Sequence, residues 1–303
     1  MAMAYLVNAR HFAEKGDISN ALVYYNKFKK NCKEISHCID YNLIYIKNNL
    51  NYVISLTSYP KRIGYVHLVI ESLLNQSEKN IQIILWLAHE EFPEKENSLP
   101  FELKKLIGDK FHIEWCDNIF SYKKLIPALM KYKDKIIITA DDDVIYPETW
   151  LSLLLNSYLE APFSIHCHRG HKVKIEDRQL ADYKKWPKRI STNEARFSNF
   201  ATGVGGVLYP PNSLHTDVFN TTVFLELCRY GDDIWFWAMS VLNNTKIKIV
   251  KNGFNKFENI DGTQEDNLWE QNAVGGRNDI MMANILKKYP EILVKLRSEE
   301  GIL

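Results

Sequence analysis

The sequence predicts an α/β fold, a mostly parallel sheet flanked by helices, with a small helical hairpin at the N-terminus. Three observations predict it. From residue 51 onward, short β-branched apolar runs alternate with amphipathic stretches of helical period. One of those runs, Ile136-Ile137-Ile138-Thr139, stops abruptly at three aspartates, Asp141, Asp142 and Asp143, as a buried strand does when it reaches a polar crevice. Before residue 51, apolar residues at helical spacing lie on both sides of Gly16-Asp17, a natural stop and restart between two helices.

The elements follow in order. Residues 3–47 read as helical, and the stretch around Gly16, Ala21 and Tyr25 resembles one tetratricopeptide-type hairpin. One such unit cannot bury its own apolar face, so it is expected to pack on the main domain, ahead of packing on a partner. This divides the chain into a hairpin extension, 1–50, and a main domain, 51–303. NYVISLTSYP (51–60) is a strand ending in polar residues, and GYVHLVIESLLNQS (64–77) an amphipathic helix. NIQIILWLA (80–88) and LPFELKKLIGD (99–109) are the next strand and helix. FHIEWCD (111–117) and SYKKLIPALMKYKD (121–134), which carries Pro127, form the third pair. IIITADDD (136–143) leads into PETWLSLLLNSYLEA (147–161), with Pro147 near the helix start. FSIHCH (163–168) is a further strand. Alternation of this kind implies parallel strands with helices on both faces. Residues 170–230 read as irregular, rich in Trp, Tyr, Asn and Gly, and suggest a binding loop or lid. Helical pattern returns at 232–242 and 278–298, the latter with Asn278 as its cap.

Composition fits a soluble enzyme: 303 residues, 46% hydrophobic and 25% charged. The charge balance, 38 basic against 37 acidic side chains, gives +1 and no electrostatic case for nucleic acid. Local clusters such as Lys123-Lys124 and Lys184, Lys185, Lys188, Arg189 read as solvated faces, or as faces for phosphates or anionic lipid. Five scattered cysteines without a C-x-x-C pair point to reduced thiols. The first residues lack a signal-peptide pattern, and no apolar run is long enough to span a bilayer. A cytoplasmic location is expected, with peripheral contact to the inner membrane left open.

Three adjacent carboxylates need a counter-charge. Each adjacent pair repels by roughly 1 kcal/mol in water and about 4 kcal/mol at a partly buried site. Mg²⁺ or Mn²⁺, which bind through one or two carboxylates plus substrate phosphates, would remove that repulsion. The triplet therefore predicts a metal–phosphate site at the carboxyl end of a central strand, although aspartates also cap helices and form turns. A second acidic pair, Asp232-Asp233, opens the aromatic helix beginning IWFW. In IHCHRGH (165–171), zinc is excluded because strand geometry turns Cys167 away from His166 and His168 and no second ligand pair follows. Arg169 and His171 are better read as cleft residues. Tyr183, Trp186 and Phe197 would stack on sugar faces or join the core.

Taken in order, ISLTSYPKRI (54–63) with SLLNQS (72–77), KKLIPAL (123–129) with ITADDDVIYP (138–147), ATGVGGVLYPP (201–211) and GDDIWFW (231–237) resemble the GT-A-fold glycosyltransferases of bacterial surface-polysaccharide and lipopolysaccharide synthesis. The likeness runs from Val53 to about Leu286. It implies a nucleotide-sugar donor, a glycan or lipid-linked glycan acceptor, and an Asp-X-Asp metal motif. By that resemblance Asp143 is the principal ligand of Mn²⁺ or Mg²⁺, and Asp141 binds ribose or the metal through water. Asp142 points to the other side. Thr57 and Ser58 receive base and ribose, Arg62 approaches a phosphate, Asp117 recognises the base, and Lys124 faces the diphosphate. Gly205 and Gly206 line the donor sugar and acceptor. An inverting transfer needs a base for the acceptor hydroxyl, and Asp233, ahead of Asp232, fills that role. Some relatives use a late histidine or carboxylate for the metal; no histidine follows His215, which leaves Asn278 or Asp279 as substitutes if they do not simply cap the helix. The competing readings are an aspartate–Mg²⁺ phosphohydrolase, which needs an aspartate at the end of the first strand, and a non-enzymatic helical-repeat or sugar-binding adaptor.

Overall fold

The computed structural model describes residues 2–31, 47, 49–78, 80–263 and 276–302. Its first strands in chain order are β1 (Tyr52–Thr57), β2 (Ile83–Ala88), β3 (Phe111–Cys116), β4 (Ile136–Thr139), β5 (Val144–Ile145) and β6 (Ile165–Cys167). β7 (Gly170–Lys172), β8 (Ile175–Glu176), β9 (Gln179–Leu180), β10 (Asn199–Ala201), β11 (Val207–Tyr209), β12 (Ile247–Ile249) and β13 (Glu258–Asn259) follow. Seven of these form the central sheet in the order β12-β6-β11-β4-β1-β2-β3. β11 alone runs antiparallel to both of its neighbours, β4 and β6. The mostly parallel sheet flanked by helices is thus the fold.

Strand periodicity explains the layers. Along β1, Ile54 and Leu56 face one core while Val53 faces the other; along β4, Ile136 and Ile138 oppose Ile137 in the same way. The first core packs under the helices Val66–Leu74 and Trp150–Glu160. The second packs under Asp232–Leu242, Arg277–Lys288 and Glu291–Glu299. The N-terminal hairpin, Ala2–Glu14 and Ile18–Asn31, buries Ala9, Leu22 and Tyr25 in the first core. Asn26 Nδ2 donates to Leu159 O at 3.0 Å, which fastens it to the Trp150–Glu160 helix. The rest of the expected N-terminal helical region, 32–46, lies outside the described residues, as do Cys32 and Cys38.

Several elements differ from expectation for physical reasons. The stretch 170–230 is not simply irregular: it supplies β11 to the middle of the sheet, and the helix Thr221–Cys228. β11 has only three residues, too few to display a period. The predicted helix at 121–134 breaks at Leu125 into a 3₁₀ turn, Phe120–Lys124, and a short helix, Ile126–Lys131, with Pro127 in its first turn, where its missing N–H costs nothing. The expected helix at 278–298 is two helices parted at Pro290, and Asn278 is not its cap: Gly276 holds that place. Only the short helix Phe101–Lys104 forms from the stretch 99–109.

Candidate active site

β1 and β4 are sheet neighbours, but the chain leaves them toward opposite edges, β1 to β2 and β3, β4 toward β11 and β6. Such a switch point opens a crevice at the carboxyl ends of the strands. Thr57-Ser58 and the aspartate triplet leave the sheet there, on the wall of a cavity of about 980 Å³.

The triplet finds its counter-charges within the chain. Arg62 Nη1 lies 2.9 Å from Asp142 Oδ1 and 2.9 Å from Asp143 Oδ2. Ser58 Oγ donates to Asp142 Oδ2 at 2.6 Å. Asp142 is buried, which pushes its carboxyl up, while Arg62 and Ser58 pull the other way. Arg62 is in turn held charged, because the two carboxylates outweigh its burial. Asp141 is positioned from below: its N–H donates to Tyr146 Oη at 2.8 Å.

Lys124 joins the two acidic sets. Its Nζ is 3.0 Å from Asp141 Oδ1 and 2.9 Å from Asp232 Oδ2. The contact to Asp232 is a close ion pair, and it supplies the counter-charge of that buried oxygen. Burial alone would lower the Lys124 pKa; Asp141, Asp232 and Asp233 raise it well above the ordinary lysine value. The Lys124 backbone is fixed by Ser55 Oγ, which donates to its carbonyl at 2.6 Å and receives Trp86 Nε1 at 2.9 Å. On the neighbouring turn, Ser121 Oγ donates to Asp232 Oδ1 at 2.9 Å.

Asp233 lies in the first turn of the aromatic helix and reaches across to the glycine segment, where Gly203 N donates to Asp233 Oδ2 at 2.9 Å. A Cβ on Gly203 would stand 2.8 Å from Lys124 Nζ and 2.9 Å from Asp233 Oδ1, so any side chain here would have to displace those two groups. Burial, and then the adjacent Asp232 carboxylate, push the Asp233 carboxyl up to about 7, against the opposing pull of Lys124. A carboxyl titrating there is matched to proton exchange near neutrality.

No family model and no curated protein matches this chain. Solved structures match it in fold. TarS of S. aureus, residues 1–349, aligns at 12% identity over 82% of this chain and 70% of that one, with a TM-score of 0.46. A CMP:2-keto-3-deoxy-manno-octonic acid synthetase complexed with CTP aligns at 15% identity over 70% and 93%, with a TM-score of 0.43. The inositol-1-phosphate CTP transferase of T. maritima aligns at 11% identity over 78% and 97%, with a TM-score of 0.39. At such identities the likeness is to a fold and carries no substrate.

The cavity brings together Thr57, Ser58, Arg62, Lys124, Asp141, Asp143, Asp232 and Asp233. Thr57 is committed to the sheet, donating from Oγ1 to Trp86 O at 2.8 Å. Asp117 is exposed beyond β3 and does not line the cavity. Gly205 and Gly206 lie behind the wall, where Trp150 Nε1 donates to Gly205 O at 2.8 Å. Arg169, His171 and Asn278 do line the cavity, while Asp279 accepts from Tyr183 N at 2.6 Å. His166 and His168 are buried and spent on protein partners: His166 on Ser157 and Ala161, His168 on Trp150 and Phe254. Sequence reasoning missed Ser121 and Trp150, which act through partners far away in the chain, and Tyr146, whose partner Asp141 stands within the same sequence block.

Proposed function

We propose that this protein is a glycosyltransferase of the GT-A type. It moves a sugar from a nucleotide-sugar donor, a UDP-linked hexose or N-acetylhexosamine, to a glycan or lipid-linked glycan in surface-polysaccharide or lipopolysaccharide synthesis. The transfer inverts the anomeric carbon, and the enzyme works in the cytoplasm. One observation carries this reading: a single crevice holds two separate carboxylate sets, bridged by a buried lysine, with one acid tuned to about 7.

The residues fit a divalent ion. Asp141 and Asp143 line the cavity and offer hard oxygen ligands. Among the described residues no third acid, histidine or cysteine completes a metal-holding group, so phosphate oxygens and water would fill the remaining positions, as is usual for Mg²⁺ and Mn²⁺. When bound, the ion would neutralise charge on the departing nucleoside diphosphate. Lys124 keeps a permanent positive charge beside Asp141 and stabilises the same leaving group. Ser58 and Arg62 hold the triplet in place through Asp142. Asp233, ionised above its raised pKa, takes the proton of the attacking acceptor hydroxyl. The phosphohydrolase reading asks for an aspartate nucleophile at the end of β1, and Thr57 stands there.

A thermal-shift screen of UDP-, GDP-, CMP- and dTDP-sugars, each with and without Mn²⁺, tests the reading. Ligand at one hundred times its dissociation constant stabilises the native state by about 2.7 kcal/mol. The expected shift needs both the metal and a UDP-sugar, and disappears in Asp143→Ala. That variant should still fold, because Arg62 keeps Asp142 as its partner. Absence of any shift in the wild-type chain, or one that survives Asp143→Ala, overturns the assignment.

A further inference from the structure

The cations of the cavity are not alike. Arg62, Lys123 and Lys124 are each paired with carboxylates, Lys123 with Glu91. On another part of the wall, Arg169 and Arg189 form no ion pair with any described residue. Arg169 follows β6 and is largely enclosed, and its Nε is buried without a hydrogen-bond partner. Arg189 stands exposed at the rim. The fold brings them together because the segment 187–190 runs along β7: Lys172 N donates to Pro187 O at 2.9 Å and Ile190 N to Gly170 O at 3.0 Å. Between them Arg189 N donates to His171 Nδ1 at 3.1 Å, which leaves that imidazole nitrogen an acceptor. Arg189 holds a left-handed φ of 51° there, which a side-chain-bearing residue keeps only under surrounding constraint.

Two guanidinium groups facing one cavity repel each other. The guanidinium pKa of Arg169 is lowered by its burial and by Arg189, and the opposing pull of Tyr183, Asp233 and Asp141 does not restore it. Keeping such a pair unneutralised costs stability, and a bound oxyanion would remove that cost. The planar fork of each arginine suits the two oxygens of a phosphate or carboxylate.

Place in the fold decides whose anion this is. The Arg169 carbonyl accepts from Thr202 N at 3.1 Å and from Thr202 Oγ1 at 3.2 Å. The next residue, Gly203, holds Asp233. The Arg169 backbone is therefore anchored beside the segment that holds the base, whereas Arg62 stands at the triplet for a diphosphate. A group beside the base is beside the attacking hydroxyl.

We infer that Arg169 and Arg189 form an oxyanion subsite for a phosphate or carboxylate carried by the acceptor, distinct from the diphosphate site at Asp141–Asp143. The acceptor class this names is a glycan that carries a phosphate or carboxylate, and the assignment to the acceptor rests on the glycosyl-transfer reading above.

Calorimetric titration of the full chain with inorganic phosphate, alone and with UDP and Mn²⁺ already bound, tests it. Phosphate should bind in both conditions. Arg169→Gln and Arg189→Gln should each weaken it by about tenfold or more, with UDP affinity kept within about twofold. Arg189 is exposed, so its variant folds even where Arg169→Gln does not. If the arginine variants lose UDP instead, both side chains belong to the donor diphosphate and the acceptor assignment is overturned. If phosphate binds wild type and variants alike, the subsite is overturned. If wild type fails to bind UDP but binds phosphate through the two arginines, the subsite is supported and the glycosyl-transfer reading falls.

Discussion

On the glycosyl-transfer reading proposed above, Asp233 is the side chain on which the chemistry turns, and its environment makes two linked predictions. A carboxyl pushed up by burial prefers its protonated form in the fold. Its contribution to stability is therefore full below the ordinary carboxylate range, and is lost as pH rises through about 7. Asp233→Asn removes that loss. The variant's stability advantage, measured by urea unfolding, should grow from about pH 4 to about pH 7 and then level off. Parallel stability curves for the two proteins would falsify the assignment of the raised pKa to Asp233. On the proposed reading the same group governs transfer. Transfer should rise with pH through about 7 as Asp233 ionises, and Asp233→Asn should lower the rate by about 10²–10⁴-fold while UDP still binds. Asp232, tied to Ser121 and Lys124, has less freedom to act as the base.

At the scale of the element, the glycine segment 203–206 and the start of the Trp150–Glu160 helix form one unit. Gly206 has φ 82°, and a Cβ there would lie 2.3 Å from Trp150 Cζ2. Gly206→Ala should cost about 2–4 kcal/mol, from backbone strain and the clash with a rigid ring, seen as a lower urea midpoint. Gly203→Ala differs, because its new Cβ meets the flexible end of Lys124 and the Asp233 carboxylate. There the fold should hold while transfer is lost, and a similar loss of stability in both variants would refute this distinction. These contacts also mark how far the sequence could be read. The alternation of β1 to β4 with helices was legible because long apolar runs carry their own period. The acidic sets were legible because like charges in a row are rare without a purpose. β11, β12 and the Leu125 break were not, since three-residue strands and a 3₁₀ turn are set by tertiary contacts. The sequence also suggested a metal as the counter-charge of the triplet, whereas Arg62 and Lys124 already supply much of it from 80 and 17 residues away.

Across the whole molecule, the N-terminal hairpin bears on the site only through packing. Tyr25 and Leu22 are fully buried in the core that also holds Leu154, Leu155 and Tyr158 of the Trp150–Glu160 helix. Ser19 Oγ meets Tyr158 Oη at 3.4 Å, and Asn26 ties to Leu159 O at 3.0 Å. That helix begins at Trp150, whose indole supports Gly205, two residues from the contact between Gly203 and Asp233. The hairpin therefore packs behind the wall without lining the cavity. Tyr25→Ala should remove a large buried ring and cost about 3–5 kcal/mol of stability, read as a lower urea midpoint. At temperatures well below its melting point, the same variant should bind UDP with Mn²⁺ as wild type does and transfer at the same rate. If Tyr25→Ala instead lowers the transfer rate of the fully folded protein, the hairpin controls the geometry around Asp233 directly. If it changes neither stability nor rate, the hairpin does not dock on this domain in solution, and its apolar face is open to another partner.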